Sequence, residues 1–207
     1  MKKICFLALA ALLCSSVSYG QILKSSTMVV EKKQAKKADT RYQGELNFGY
    51  GLGGKAKDSD GDKEDANFSR AFIETIHGMR INKYAFAGVG FGFQYAYDKE
   101  NIAGFDDDGV GSIPLFLDLK GYYPVTDDFA PYVAIDLGYG LPVVGSEGDY
   151  GTKLTGGFYA SYGIGLNYKK LNFGLGWQRQ GLNYEYEGEK GDGFSINSFF
   201  VKVGIKF

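Results

Sequence analysis

From residue 41 to the carboxyl end the sequence alternates with a period of two, in eight segments of about ten residues or slightly more. In residues 86–97, FAGVGFGFQYAY, the positions Ala87, Val89, Phe91, Phe93, Tyr95 and Tyr97 share one face, and Gly88, Gly90, Gly92, Gln94 and Ala96 share the other. Successive side chains point to opposite sides only in a β-strand, so this period selects strands over helices. Composition agrees, because 31 Gly, 16 Tyr and 16 Phe suit strands and suit helices poorly. The Gly-x-Gly run is not a nucleotide cradle: the G-x-G-x-x-G spacing on a strand–turn–helix unit is missing. Gly-x-Gly also returns at 138–140, 163–165 and 174–176, each time on the small or polar face.

The alternation alone leaves open which face points inward. A water-soluble barrel would line its interior with the apolar face and turn the other to solvent. Here the apolar face has almost no charge, while the opposite face carries Glu45, Glu74, Asp118, Lys120, Asp136, Lys202 and Lys206. The interior of an eight-stranded barrel is only about wide enough for side chains to fill it, too narrow for that many large apolar groups. Turning the sheet over resolves the conflict. The apolar face then meets lipid, those seven residues form an interior polar network, and the glycines leave room inside for Phe116, Tyr122, Tyr132, Tyr159 and Phe200. The expected fold is all-β: an eight-stranded antiparallel transmembrane up-and-down β-barrel, its backbone paired throughout as hydrocarbon requires.

The segments before residue 41 read differently. Lys2 and Lys3, the apolar run Ile4 to Cys14, and the small residues Ser18 and Gly20 predict a cleaved secretory signal over 1–20. Both cysteines lie within it, which leaves a mature chain without disulfides. Residues 21–40, with Lys32, Lys33, Lys36 and Lys37 and no apolar face, are expected to form a flexible periplasmic segment before the barrel domain of 41–207. Connections after the even-numbered strands are short. The others, at about 52–67, 98–111, 142–154 and 182–194, are expected to be loops of a dozen residues or more. Short turns on one rim and long loops on the other characterise outer-membrane barrels.

Over residues 41–207 the chain resembles the small outer-membrane barrels of the OmpA/OmpX type. The ending FFVKVGIKF carries the mark most plainly: Phe199, Val201, Val203, Ile205 and the terminal Phe207 look like the signal by which the barrel-assembly machinery recognises its clients. INKYAFAGVGFGF, a short turn entering a glycine-alternating strand, is similar to small barrels common in the Bacteroidota. The resemblance implies outer-membrane localisation with both termini in the periplasm, and a monomer in contact with outer-membrane lipids and lipopolysaccharide. It implies no cofactor and no nucleic-acid partner. The resemblance is to the barrel part of full-length OmpA alone, with no peptidoglycan-binding domain expected after the last strand and hence no wall-anchoring role expected.

The four loops are acidic, with Asp58, Asp60 and Asp62 in one and Asp106, Asp107 and Asp108 in another. The first set has the spacing of half a calcium loop, but Lys63 stands where such a loop needs Gly, so a solvated acidic surface is expected there. An acidic outer rim could share divalent cations with lipopolysaccharide phosphates. His77, the single histidine, has no serine two residues on and lies near the short-turn rim, which argues against a lipid-modifying catalytic set. Tyr50, Tyr95, Tyr97, Tyr139 and Trp177 toward one end, and Tyr42, Tyr123, Tyr168, Phe173 and Phe207 toward the other, predict two interfacial girdles. The expected function is structural, adhesive or surface-binding, through the four loops. A narrow channel for small solutes is the alternative, and an enzyme acting on lipid the more distant one.

Overall fold

The computed structural model describes residues 40–57, 63–97, 109–145, 152–186 and 189–207. Within them lie eight strands: β1 (Arg41–Lys57), β2 (Lys63–Arg80), β3 (Ala85–Tyr97), β4 (Gly109–Tyr122), β5 (Phe129–Val144), β6 (Thr152–Tyr168), β7 (Leu171–Tyr186) and β8 (Glu189–Lys206). Each pairs antiparallel with its sequence neighbours, and β8 returns to pair with β1, so the sheet is a closed barrel. The expected signal at 1–20 and the segment up to residue 39 lie outside the described residues.

The strands are staggered. Following cross-strand partners from Glu45 through Ile76, Gly90, Phe116, Gly138, Tyr159, Gln180 and Ile196 leads back to β1 at Ala56, eleven residues along from the start. That offset is the shear a tilted barrel must have to close. Pro114 sits within β4 without disrupting it, because β3–β4 pairing passes from Phe91↔Leu115 to Gln94↔Ser112 and asks no ladder bond of its missing N–H.

Three tight connections form one rim, called here the turn rim. In the first, Asn82 Oδ1 accepts from the amides of Tyr84 (2.7 Å) and Ala85 (2.9 Å), an Asx-type turn. In the second, Thr126 Oγ1 accepts from Phe129 N at 3.0 Å. The third is the pair Lys169–Lys170, with Lys169 in the left-handed region at φ 54°, as a two-residue hairpin demands.

At the far rim the structure corrects the expected loop lengths. Residues 182–194, read as a loop, are mostly strand: β7 runs to Tyr186 and β8 begins at Glu189, with Tyr186↔Glu189 paired. The first connection also shrinks to 58–62, since β1 and β2 pair out to Lys57↔Lys63. The reason is physical. The greasy alternation stops where the strands leave the apolar belt, but a hydrogen-bonded ladder needs only backbone and continues.

The alternation resolves into two unlike surfaces. Large apolar residues cover the outside: Leu115, Leu117 and Tyr162 are each 60% exposed and Trp177 53%. Charged and amide side chains fill the inside, where Glu45, Asn47 and Asp118 are 0% exposed. Two inward glycines show why the narrow interior needs them. A Cβ on Gly90 would overlap the Phe116 ring, and one on Gly165 would overlap the Tyr132 ring.

Candidate functional site: the barrel lumen

The lumen is built in levels. Nearest the turn rim, the Arg80 guanidinium lies 4.1 Å from the centroid of the Tyr122 ring, and Tyr122 packs on Tyr132 with ring centroids 5.7 Å apart. Phe86, Phe116, Tyr159, Ile76, Ala130 and Ala134 join these two tyrosines in one buried cluster.

Interleaved with those rings is the charged level. Lys120, on β4, reaches across the lumen to Glu45 on β1, with Nζ 2.7 Å from Oε2, and also lies 3.0 Å from Asp118 Oδ2. Lys202, on β8, lies 2.7 Å from Glu74 Oε1 on β2. Amides complete the carboxylate shells. Gln43 Nε2 donates to Glu45 Oε1 at 2.8 Å, Asn172 Nδ2 to Glu45 Oε2 at 3.0 Å, and Asn47 Nδ2 to Glu74 Oε1 at 3.1 Å. Tyr132 OH donates to Asn172 Oδ1 at 2.6 Å, tying the aromatic and charged levels together. Asp136 stands directly opposite Asp118 on the neighbouring strand and accepts from Ser161 Oγ at 2.5 Å. Buried ions are tolerable only when paired and hydrogen-bonded, and the cross-lumen pairs meet that condition by joining strands far apart in sequence. Lys206 lies at the turn rim, half-buried, and makes none of these ion pairs.

Sequence reasoning missed a further level. Arg70, Gln94, Gln178 and Gln180 are all buried, and they link through Arg70 Nη1 to Gln94 Oε1 (2.9 Å), Gln178 Nε2 to Gln94 Oε1 (2.7 Å) and Gln94 Nε2 to Gln180 Oε1 (3.5 Å). The signal was available: Arg70 and Arg80 share parity with Glu74, hence its face, on a strand whose mixed composition blurs the alternation. With these two arginines the buried charges described balance, four acids against four bases. Above this level Ala96, Val110, Leu154, Leu182 and Ile196 form an apolar cluster toward the far rim, with Tyr184 and Phe194 packed on it.

Among the described residues the voids inside the barrel are small. The void beside Asp136, Ser161, Lys202 and Tyr132 measures about 10 Å³, at or below the space one water needs. Among the described residues no three His, Cys, Asp or Glu side chains group as a metal site.

The other candidate residues lie elsewhere. Val201, Val203, Ile205 and Phe207 are exposed on the outward face of β8 and at its end, and Phe199 is half-buried beside Trp177, ring centroids 5.2 Å apart. Phe207 closes the seam: Gly44 N donates to its carbonyl (2.8 Å) and its own N–H to Gly44 O (2.9 Å). His77 faces outward near the same rim, its Nδ1 2.5 Å from Tyr42 OH and its Nε2 2.9 Å from Thr75 Oγ1. Asp58, Asp60, Asp62, Asp106, Asp107 and Asp108 lie outside the described residues.

No known protein family and no curated protein matches the sequence. Solved structures do. Outer membrane protein AlkL in DMPC lipid bilayers is similar over 88% of this chain and 97% of its own, with a TM-score of 0.50 at 13% identity. Neisserial surface protein A aligns over 81% of this chain and 99% of its own, with a TM-score of 0.48 and 13% identity. The outer membrane enzyme PagL aligns over 76% and 97%, with a TM-score of 0.42 and 15% identity. At these identities the likeness is one of fold: an eight-stranded antiparallel barrel.

Proposed function

We propose that the chain is an integral outer-membrane β-barrel with a structural, adhesive or surface-binding role carried by its far rim. The observation that supports this reading most is the inside-out distribution of side chains. Four buried acids and four buried bases sit within the closed sheet, while Leu, Val, Ile and aromatic side chains cover its outside. Apolar cover of that extent far exceeds the few hundred Å² a water-soluble surface usually shows. The strands, 13 to 18 residues long, exceed the roughly 9–11 that cross the hydrocarbon, so their ends stand clear of it. Aromatics gather at both levels where the belt ends. Tyr50 and Tyr97 hydroxyls meet at 2.6 Å toward the far rim, and Tyr123 and Tyr168 stand exposed at the turn rim, as interfacial girdles do. With Arg41 and Phe207 at the turn rim, that rim faces the periplasm and the far rim the outside. AlkL, described in lipid bilayers as an outer membrane protein, shares this fold. Outer-membrane lipids and lipopolysaccharide are the proposed surroundings, and the chain is proposed to work as a monomer.

The packed lumen favours a rim-borne role over conduction, although its polar lining keeps a narrow channel as the second reading. Purified barrel in planar bilayers is expected to give no resolved unit conductance at moderate voltage. Discrete, reproducible steps would transfer the function to the lumen. For the enzymatic reading, His77 is already engaged on both ring nitrogens by Tyr42 and Thr75. A His77→Ala strain is expected to keep the wild-type lipid A profile by mass spectrometry, and an altered acyl pattern would reinstate catalysis.

A further inference from the structure

Three of the four buried cations among the described residues have evident partners. Lys120 and Lys202 face carboxylates, and Arg80 lies over the Tyr122 ring while its Nη2 donates to Lys83 O at 2.9 Å. Arg70 is different. It is 1% exposed, and its one hydrogen bond goes to a neutral amide oxygen, Gln94 Oε1, which Gln178 Nε2 already shares. Its Nε and Nη2, the edge of the guanidinium that binds anions in bidentate fashion, are buried without a hydrogen bond. An uncompensated buried charge is among the most destabilising features a protein can hold.

A second group points to the same place. Ser198 Oγ, on β8, is also buried and unpartnered. Arg70 and Ser198 pack closely on either side of Gly51: a Cβ there would lie 3.1 Å from Ser198 Oγ and 3.3 Å from Arg70 Cβ, so the two side chains leave the barrel wall beside the same backbone position. The Tyr159 phenol is also within electrostatic reach of the guanidinium. Ala96, the partner of Arg70 on β3, belongs to the apolar cluster that closes the lumen toward the far rim. The site is therefore positive, rich in donors, small, and walled by apolar groups on one side.

We propose that the lumen holds one small monovalent anion, of halide size, between Arg70 Nε and Nη2 and Ser198 Oγ. It accepts all three orphaned donors at once and gives Arg70 a counter-charge that no ion pair among the described residues supplies. The close packing around Gly51 and the apolar cap favour a compact ion over an organic acid. The anion would be a structural component of the folded barrel.

The test compares refolded barrel in detergent at constant ionic strength, with chloride or with bulky gluconate as the anion. Chloride is expected to raise the melting temperature saturably, by about 3–6 °C at tenfold excess over its dissociation constant. Equal melting temperatures in the two salts would overturn the proposal. Arg70→Met is expected to abolish the chloride response, and Ser198→Ala to shift its midpoint several-fold to higher chloride. A full response in Arg70→Met would overturn the site. Should Arg70→Met not fold, wild-type crystals grown in bromide decide the matter. Anomalous density beside Arg70 Nε and Nη2 is expected, and its absence would sink the assignment.

Discussion

Replacing Lys120 by Met is expected to lower unfolding stability by ~3–5 kcal/mol, the usual range when one partner of a buried ion pair is removed. The ammonium serves two carboxylates, Glu45 Oε2 at 2.7 Å and Asp118 Oδ2 at 3.0 Å, on two different strands. Its loss leaves both anions buried in a lumen with no bulk water to replace it. With a urea slope of about 2 kcal/mol per M, the midpoint should fall by about 2 M. Fluorescence of Trp177, the single tryptophan, reads the transition from the outward face. Lys83→Met at the exposed turn rim is the control, and a change within about 0.5 kcal/mol is expected there. Glu45→Gln added to Lys120→Met should restore part of the loss but not all, because Asp118 remains unpaired. A Lys120→Met barrel as stable as wild type would mean that the lumen is hydrated enough to solvate both acids.

Gly165→Val is expected to do more damage still, removing the band of folded barrel that migrates anomalously on gels until boiled. A Cβ at this position would overlap the Tyr132 ring and the Phe173 carbonyl. The ring could move only by giving up its hydrogen bond to Asn172, and the carbonyl belongs to the β7 backbone. Overfilling an ordinary core costs ~1–3 kcal/mol. Here it would also force two paired strands apart in a closed sheet with nowhere to yield. Gly121→Ala is the contrasting case: its Cβ would meet only Val133 Cγ2, at 3.4 Å, and should fold normally. Adding Tyr132→Ala to Gly165→Val should recover part of the folded band. No recovery would place the whole clash on the backbone.

These two sites show what the sequence makes legible. The alternating pattern puts Lys120, Asp118, Glu45, Gly165 and Tyr132 on one face by parity alone, and the concentration of charge opposite an uncharged apolar face gives the direction in which that face points. Partner choice is another matter. Parity says that Lys120 faces inward, but the contact with Glu45 depends on strand stagger, and the sequence gives no direct reading of shear. Arg70 and Arg80 were within reach of the same rule, yet β2 mixes Arg70, Phe72, Glu74 and Ile76 on its inner face, so its contrast is weak. Strand ends beyond the apolar belt were hidden for a different reason. At 182–194 the outward side chains no longer had lipid to match, so residues such as Asn183 and Gly193 broke the hydrophobic pattern while the ladder pairing them continued.

The seam at Phe207 has a mechanical consequence. β8 is bonded to β7 from Glu189 to Ile205 and to β1 from Ser195 to Lys206, so a pull on the carboxyl end must shear two ladders together before any residue comes free. Once that strand is out, the remaining sheet has open edges, and strands can be peeled away one ladder at a time. Force spectroscopy from the turn rim should therefore record a high first rupture followed by lower ones.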